Sequence, residues 1–243
     1  MKWPPLAEKL AKFGSMPIFR LDYEITFPPA ELADQDGILA IGGDLSPQRL
    51  IRAYSDGIFP WYSDGQPILW WSPDPRMVLY PANLRISKSM QQVIKSKKFS
   101  ITLDKEFEAV ITACKMARGR DRRSTWITAE MRNAYIELHR LGYAHSVEVW
   151  ADQKLAGGLY GVSLGSVFFG ESMFTRISNA SKFGFIQLVC LLHEKKFTMI
   201  DCQVPSEHLS GFGAEEIGRP EFLSGLKEGL KDKTLEGNWG ELV

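Results

Sequence analysis

Four prolines (Pro60, Pro67, Pro73 and Pro75) fall within sixteen consecutive positions. Proline lacks an N–H and pushes the residue before it out of the α region, so no regular helix can run through this stretch. Trp61, Trp70 and Trp71 lie in the same stretch. The chain from Phe27 to about Pro75 therefore reads as a small irregular domain or cap. One helix is predicted inside it. Ser46 stands as N-cap, Pro47 at the first helical position, Leu50, Ala53 and Tyr54 share a face, and Gly57 follows the end.

From Met77 the pattern changes. A helix capped by Asp104 is expected to carry Phe107, Val110, Ile111 and Cys114 inward. A second helix, capped by Thr128, aligns Met131, Ala134, Tyr135 and Leu138 and stops at Gly142. Strands are expected over 145–150 and 155–162, turning at Asp152 and Gln153, and over 166–174 after Gly165. Asn179 opens a helix with Phe183, Ile186, Val189 and Cys190 on its face. A strand Phe197–Gln203 follows, then a final helix within 208–230. Helices, meander, helix, strand, helix is an α+β or mixed α/β layer and not a regular β-α repeat. The boundary falls at residues 1–77 against 78–243, with residues 1–15 read as an extension.

The chain has 243 residues, and one this long buries roughly 70–75% of its unfolded surface. It has no need of disulfide or metal staples. Cys114, Cys190 and Cys202 match neither a disulfide framework nor a zinc site and suit a reducing cytosol. The first residues carry Lys2, Glu8 and Lys9 without the apolar run of a signal peptide, and no 18-residue apolar span occurs. Lys+Arg and Asp+Glu balance at 29 each, which excludes a globally basic nucleic-acid coat protein. Local basic stretches exist. Arg85, Lys88, Lys95, Lys97 and Lys98 lie within 85–98 without an acid, and Lys115, Arg118, Arg120, Arg122 and Arg123 face only Asp121 within 115–123. They are either solvated helix faces or, with nearby aromatics, an RNA track.

No P-loop, dinucleotide fingerprint, H-E-x-x-H or G-x-S-x-G is present. His139, between core-facing Leu138 and Leu141, is expected on a helix surface. Two strands carry polar residues at unusual places. In FFGESMF (168–174) strand alternation puts Phe169, Glu171 and Met173 on one face and Phe168, Gly170, Ser172 and Phe174 on the other. Glu171 is either a buried carboxylate satisfied by backbone or arginine, or one that receives a ligand's ammonium or guanidinium. In IDCQ (200–203) Asp201 and Gln203 are expected on one face, with Ile200 and Cys202 toward the core. The pair is either a strand-edge capping network or part of a polar floor with Glu171. The Trp/Pro segment is either packing under a loop-rich cap or a wall for a nucleobase or an apolar side chain.

GILAIGGDLSP (37–47), GIFPW (57–61), ILWWSPDPR (68–76), TWIT (125–128), AHSVEVW (144–150), GGLYGV (157–162), FFGESMF, NASK (179–182), IDCQ and FGA (212–214) occur in this order. Together they resemble bacterial leucyl/phenylalanyl-tRNA–protein transferases over roughly residues 27–220. The resemblance implies transfer of Leu or Phe, also Met, from aminoacyl-tRNA to protein N-termini bearing Arg or Lys, which marks them for degradation by the N-end rule. It implies a cytoplasmic enzyme using no CoA, nucleotide or metal. It also implies a C-terminal domain similar to acyl-CoA N-acyltransferases (GNAT-like). Asp201 and Gln203 match the family's catalytic pair, and Glu171 its acidic residue. Trp61, Trp126, Leu159, Phe168, Met173, Phe185 and Ile200 match the aminoacyl pocket and 3′-adenosine site. At Phe185 family members often carry a smaller aliphatic residue. A monomer is expected, with tRNA on Arg85, Lys88, Lys95, Lys97 and Lys98.

Two rivals give different expectations. A CoA-dependent N-acetyltransferase needs a glycine-rich pyrophosphate loop, and Phe174-Thr175-Arg176-Ile177-Ser178 ahead of the 179–194 helix has no glycine. A non-catalytic RNA-binding module accounts for the basic stretches and tryptophans but leaves Glu171, Asp201 and Gln203 without a purpose.

Overall fold

The computed structural model describes residues 18–117 and 126–242. Where the prolines and tryptophans crowd, β1 (Phe19–Leu21), β2 (Ile38–Gly42), β3 (Phe59–Pro60) and β4 (Leu69–Trp71) form a sheet in the order β1-β2-β4-β3. The expected irregular cap is therefore a small sheet. Strands of two to five residues are too short to display an alternation in sequence. Trp70 is fully buried, donates Nε1–H to the Gly42 carbonyl at 2.8 Å, and meets Phe27 edge-on at 4.8 Å. Trp71 is buried and donates to the Trp61 carbonyl at 2.7 Å. Two of the three clustered tryptophans are thus core. Helix α1 (Pro47–Ser55) follows its signals: the Ser46 hydroxyl accepts from the Arg49 N–H, and Leu50, Ala53 and Tyr54 are buried.

The second sheet holds β5 (Arg76–Leu79), β6 (Ser100–Leu103), β7 (Ala144–Ala151), β8 (Lys154–Leu164), β9 (Val167–Thr175), β10 (Met199–Gln203) and β11 (Glu215–Ile217). Their order is β11-β5-β10-β9-β8-β7-β6. Asp152 and Gln153, at φ 47° and 59°, make the tight β7–β8 turn as expected. Every neighbouring pair is antiparallel except β9 and β10. A parallel pair needs a crossover, and α5 (Ala180–Glu194) supplies it.

One apolar core lies on each face of this sheet. On one face α3 (Phe107–Ala117), α4 (Ala129–Arg140) and α7 (Arg219–Gly229) bring Val110, Tyr135 and Phe222 against Tyr160 and Phe169; this core continues into the small sheet. On the other face α2 (Lys88–Lys95) and α5 bring Met90 and Phe183 against Val147, Leu159, Phe168 and Ile200. The class is α+β.

Several expectations need correcting. Asp104 caps no helix. It sits at φ 56°, and its carboxylate accepts from the Ser146 and Trp239 N–H groups and from His145 Nδ1, each at 2.8 Å. It ties β7 to the C-terminal segment. His139 is half-buried, stacked on Phe107 at 4.2 Å with Nδ1 on the Ala144 carbonyl, whereas Leu141 is exposed. Cys190 also faces solvent. The expected strand at 197 starts at Met199, whereas the last helix, Arg219–Gly229, lies within the expected 208–230, preceded by the single turn α6 (Glu207–Ser210) and β11. Arg118, Arg120, Arg122 and Arg123 lie outside the described residues.

Candidate active site

The pocket exists because two adjacent strands part. β9 and β10 pair only at Val167–Phe169 against Met199–Asp201. Beyond that, each carries an extra residue. Gly161 of β8 faces Gly170 while Tyr160 faces Ser172, so Glu171 is the bulged residue on β9. Val78 of β5 faces Asp201 while Met77 faces Gln203, so Cys202 is the bulged residue on β10. A bulge bends its strand and re-aims side chains. A cavity of about 290 Å³ opens where the strands diverge.

Leu159, Phe168, Met173, Phe185 and Ile200 supply apolar wall, and Phe59, Pro60, Trp61 and Trp126 flank it. Gly161 is essential to this wall. A Cβ there would lie 2.3 Å from the Phe169 carbonyl oxygen and 2.6 Å from the Phe168 ring. All seven residues expected for the aminoacyl and adenosine sites line the cavity, together with Glu171 and Gln203.

The bulges also overturn the simple alternation. Phe168 and Met173 lie with one core, and Phe169 and Phe174 with the other, five positions apart on the same side. Asp201 and Gln203 do not share a wall. Asp201 is fully buried away from the cavity and accepts from Arg76 Nε at 2.8 Å and Nη2 at 2.6 Å. Its Oδ1 also accepts the Gln203 backbone N–H at 2.9 Å.

Among the described residues, Glu171 is the one carboxylate lining the cavity. Its Oε1 accepts from the Tyr54 hydroxyl at 2.6 Å and Gln203 Nε2 at 2.8 Å, and its Oε2 from the Tyr135 hydroxyl at 3.0 Å. Tyr54 and Tyr135 also touch each other through their hydroxyls. Burial pushes the Glu171 carboxyl up to about 7, and the nearby Asp201 charge adds to this, while the three donors pull the other way. Burial, and then the Glu171 charge, hold both tyrosines well above the usual 10, so they remain donors. The helical spacing places Tyr54 and Tyr135 only on apolar helix faces. The available signal was that a buried tyrosine hydroxyl requires a partner.

Arg85, Lys88, Lys95, Lys97 and Lys98 are exposed and do not line the cavity. Their segment is nonetheless joined to the cavity wall. The Arg85 N–H donates to the Phe212 carbonyl at 2.8 Å, and the Phe212 ring packs on Phe185 at 5.1 Å. Among the described residues no group of three or more His, Cys, Asp or Glu side chains is placed to hold a metal. No helix there is long and apolar enough to cross a membrane.

Residues 78–227 match the family model described as leucyl/phenylalanyl-tRNA protein transferase, and residues 43–74 match that of its N-terminal domain. The chain belongs to the leucyl/phenylalanyl-tRNA protein transferase family. It is a transferase enzyme. A leucyl/phenylalanyl-tRNA–protein transferase of Syntrophus aciditrophicus is 56% identical over 92% of this chain and 94% of its own length. One from Syntrophobacter fumaroxidans is 54% identical over 92% and 96%. Among solved structures, a GCN5-related N-acetyltransferase from Kribbella flavida has a TM-score of 0.38 at 11% identity, over 71% of this chain and 61% of that one. L-PGS from Bacillus licheniformis has a TM-score of 0.39 at 7% identity, over 69% and 53%. Likeness at that level says nothing of function.

Proposed function

We propose that this family member moves Leu, Phe or Met from aminoacyl-tRNA to the N-terminal Arg or Lys of a protein, in the cytoplasm and as a monomer. The domain division at 77/78 belongs to the same reading, with the cavity between the two parts. The observation that carries it is one cavity whose lining is mostly apolar and holds a single carboxyl among the described residues. Its apolar lining, Leu159, Phe168, Met173, Phe185 and Ile200, suits the aminoacyl side chain. The same cavity holds a carboxyl pushed up to about 7 beside a carboxamide, for the attacking amine.

The reaction is aminolysis of an ester that is already activated, so no covalent nucleophile is required. The α-amine must be neutral to attack, and its ordinary pKa is about 7.7–8.0. Glu171 lies close enough to that value to take the proton without a large uphill step and to return it to the tRNA ribose oxygen that leaves as the ester C–O bond breaks. Gln203 commits Nε2 to Glu171, which leaves its acceptor oxygen for the incoming N–H. The amine and ester carbon held together supply much of the rate, about 7–11 kcal/mol in intramolecular reactions. Met173 gives the apolar end an adaptable wall. Trp61 and Trp126 at the rim stack the 3′-adenosine, and the exposed basic segment 85–98 takes tRNA phosphates.

Calorimetry with a non-hydrolysable phenylalanyl-adenosine amide and with acetyl-CoA separates this from the N-acetyltransferase reading. Binding of the first and none of the second is expected. The reverse pattern would remove the aminoacyl assignment of the cavity.

A further inference from the structure

We propose that Arg76 is a positioning residue for the transfer reaction. It acts through Asp201 and the Gln203 backbone to fix where the Gln203 carboxamide meets Glu171. The proposal rests on the reading of the cavity given above.

Arg76 and Asp201 are both fully buried and joined by two hydrogen bonds, Nε to Oδ1 at 2.8 Å and Nη2 to Oδ2 at 2.6 Å. A paired fork of this kind fixes orientation as well as distance. The guanidinium is itself clamped, lying over the Phe222 ring at 4.4 Å and the Phe59 ring at 4.8 Å. Phe59 belongs to the small sheet and Phe222 to α7, so the arginine is fixed by elements from both parts of the chain.

The same Oδ1 that receives Arg76 Nε also receives the Gln203 backbone N–H, at 2.9 Å. Gln203 sits at φ 66°, a left-handed conformation that a residue with a Cβ rarely adopts unaided. It follows directly on the bulged Cys202. The Asp201 carboxylate therefore holds the backbone in the shape that sends the Gln203 side chain to Glu171 Oε1 at 2.8 Å. Without Arg76 the carboxylate would be buried without its counter-charge, and it would turn or draw in water. Either change releases the Gln203 N–H. On this account Asp201 takes no proton from substrate. It is a fixed acceptor between Arg76 and Gln203.

The test uses the full chain in two parallel readouts. The first is the Gln203 side-chain amide signal in ¹⁵N–¹H NMR of the free protein, assigned by its loss in Gln203→Ala. It should be displaced from exposed glutamines in the wild type, collapse to their values in Arg76→Met, and return largely in Arg76→Met/Asp201→Asn. The double variant keeps a neutral acceptor for the Gln203 N–H without an unpaired charge. The second readout is transfer by variants whose melting curves show a folded protein. In Arg76→Met, kcat should fall on the order of 10²-fold with KM for charged tRNA within about twofold, and the double variant should regain most of it. Arg76→Lys, which keeps the charge but not the fork, should fall between wild type and Arg76→Met in both readouts.

An unchanged Gln203 signal in Arg76→Met overturns the proposal, whatever the activity. Equal loss in the single and double variants overturns it too, since the arginine would then act only through its bulk. A wild type that shows no transfer while the signal responds as described removes the functional reading and leaves the Arg76–Asp201–Gln203 coupling standing.

Discussion

At Glu171 the chain accepts a cost in stability for a usable carboxyl. Its folded pKa, pushed up to about 7, lies above its ordinary 4.5. Between those values the native state holds the proton more tightly than the unfolded state. Stability therefore declines as pH rises from about 4.5 to about 7 and stays lower above that. Glu171→Gln should remove this decline. Its stability relative to wild type, from urea midpoints, should rise between pH 5 and pH 8, and an equal difference at both pH values contradicts the burial account. The same substitution should lower kcat/KM by about 10²–10⁴-fold and abolish an acid limb with its midpoint at about 7. A surviving limb would belong to another group. Gln203→Ala should also lose most of kcat if, as proposed, the carboxamide that holds Glu171 in the cavity also receives the substrate amine. Near wild-type turnover in that variant contradicts its role.

At the scale of elements, the β9 and β10 bulges decide the site, and they explain what the sequence could and could not show. Helix α1 was legible because Ser46, Pro47 and Gly57 punctuate it, and the β7–β8 hairpin because Asp152 and Gln153 suit its turn. Glu171 and Gln203 stood out as polar residues in apolar strands. A bulge, however, is a relation between two strands and leaves no periodic mark in either. Alternation therefore misassigned Phe168, Met173 and the Asp201–Gln203 pair. The four-stranded sheet escaped notice because its strands are very short. Arg76 escaped because its partner is 125 positions away. Asp104 satisfied a capping pattern yet serves His145, Ser146 and Trp239 instead. The family resemblance supplied the seven lining residues, which no local pattern links. Gly161 tests the element-scale account. Gly161→Ala sets a Cβ 2.3 Å from the Phe169 carbonyl oxygen and 2.6 Å from the Phe168 ring, an overpacking cost of about 1–3 kcal/mol or more. It should lower Tm by about 2–4 °C per kcal/mol and weaken Phe transfer more than Met transfer. Unaltered stability and selectivity would show that the wall yields there.

Across the whole molecule, formal charge is balanced at 29 against 29, so attraction to tRNA has to be local. The exposed Lys97 and Lys98 follow α2, on the same segment that Arg85 ties to the Phe212–Phe185 wall. Lys97→Glu/Lys98→Glu should weaken tRNA binding and reduce the salt slope of log K by about 1 for every phosphate left without its lysine, while kcat at saturating tRNA is retained. Unchanged binding would remove this segment from the tRNA path. The central claim is that one cavity joins an aminoacyl ester to a cationic N-terminus, and a transfer assay tests it most directly. The purified chain receives tRNA charged with labelled leucine and peptides beginning with Arg, Lys or Ala, without CoA. The account predicts label on the Arg and Lys peptides and none on the Ala peptide. Binding of tRNA with no transfer to any peptide would contradict it, and Glu171 and Gln203 would then be structural residues.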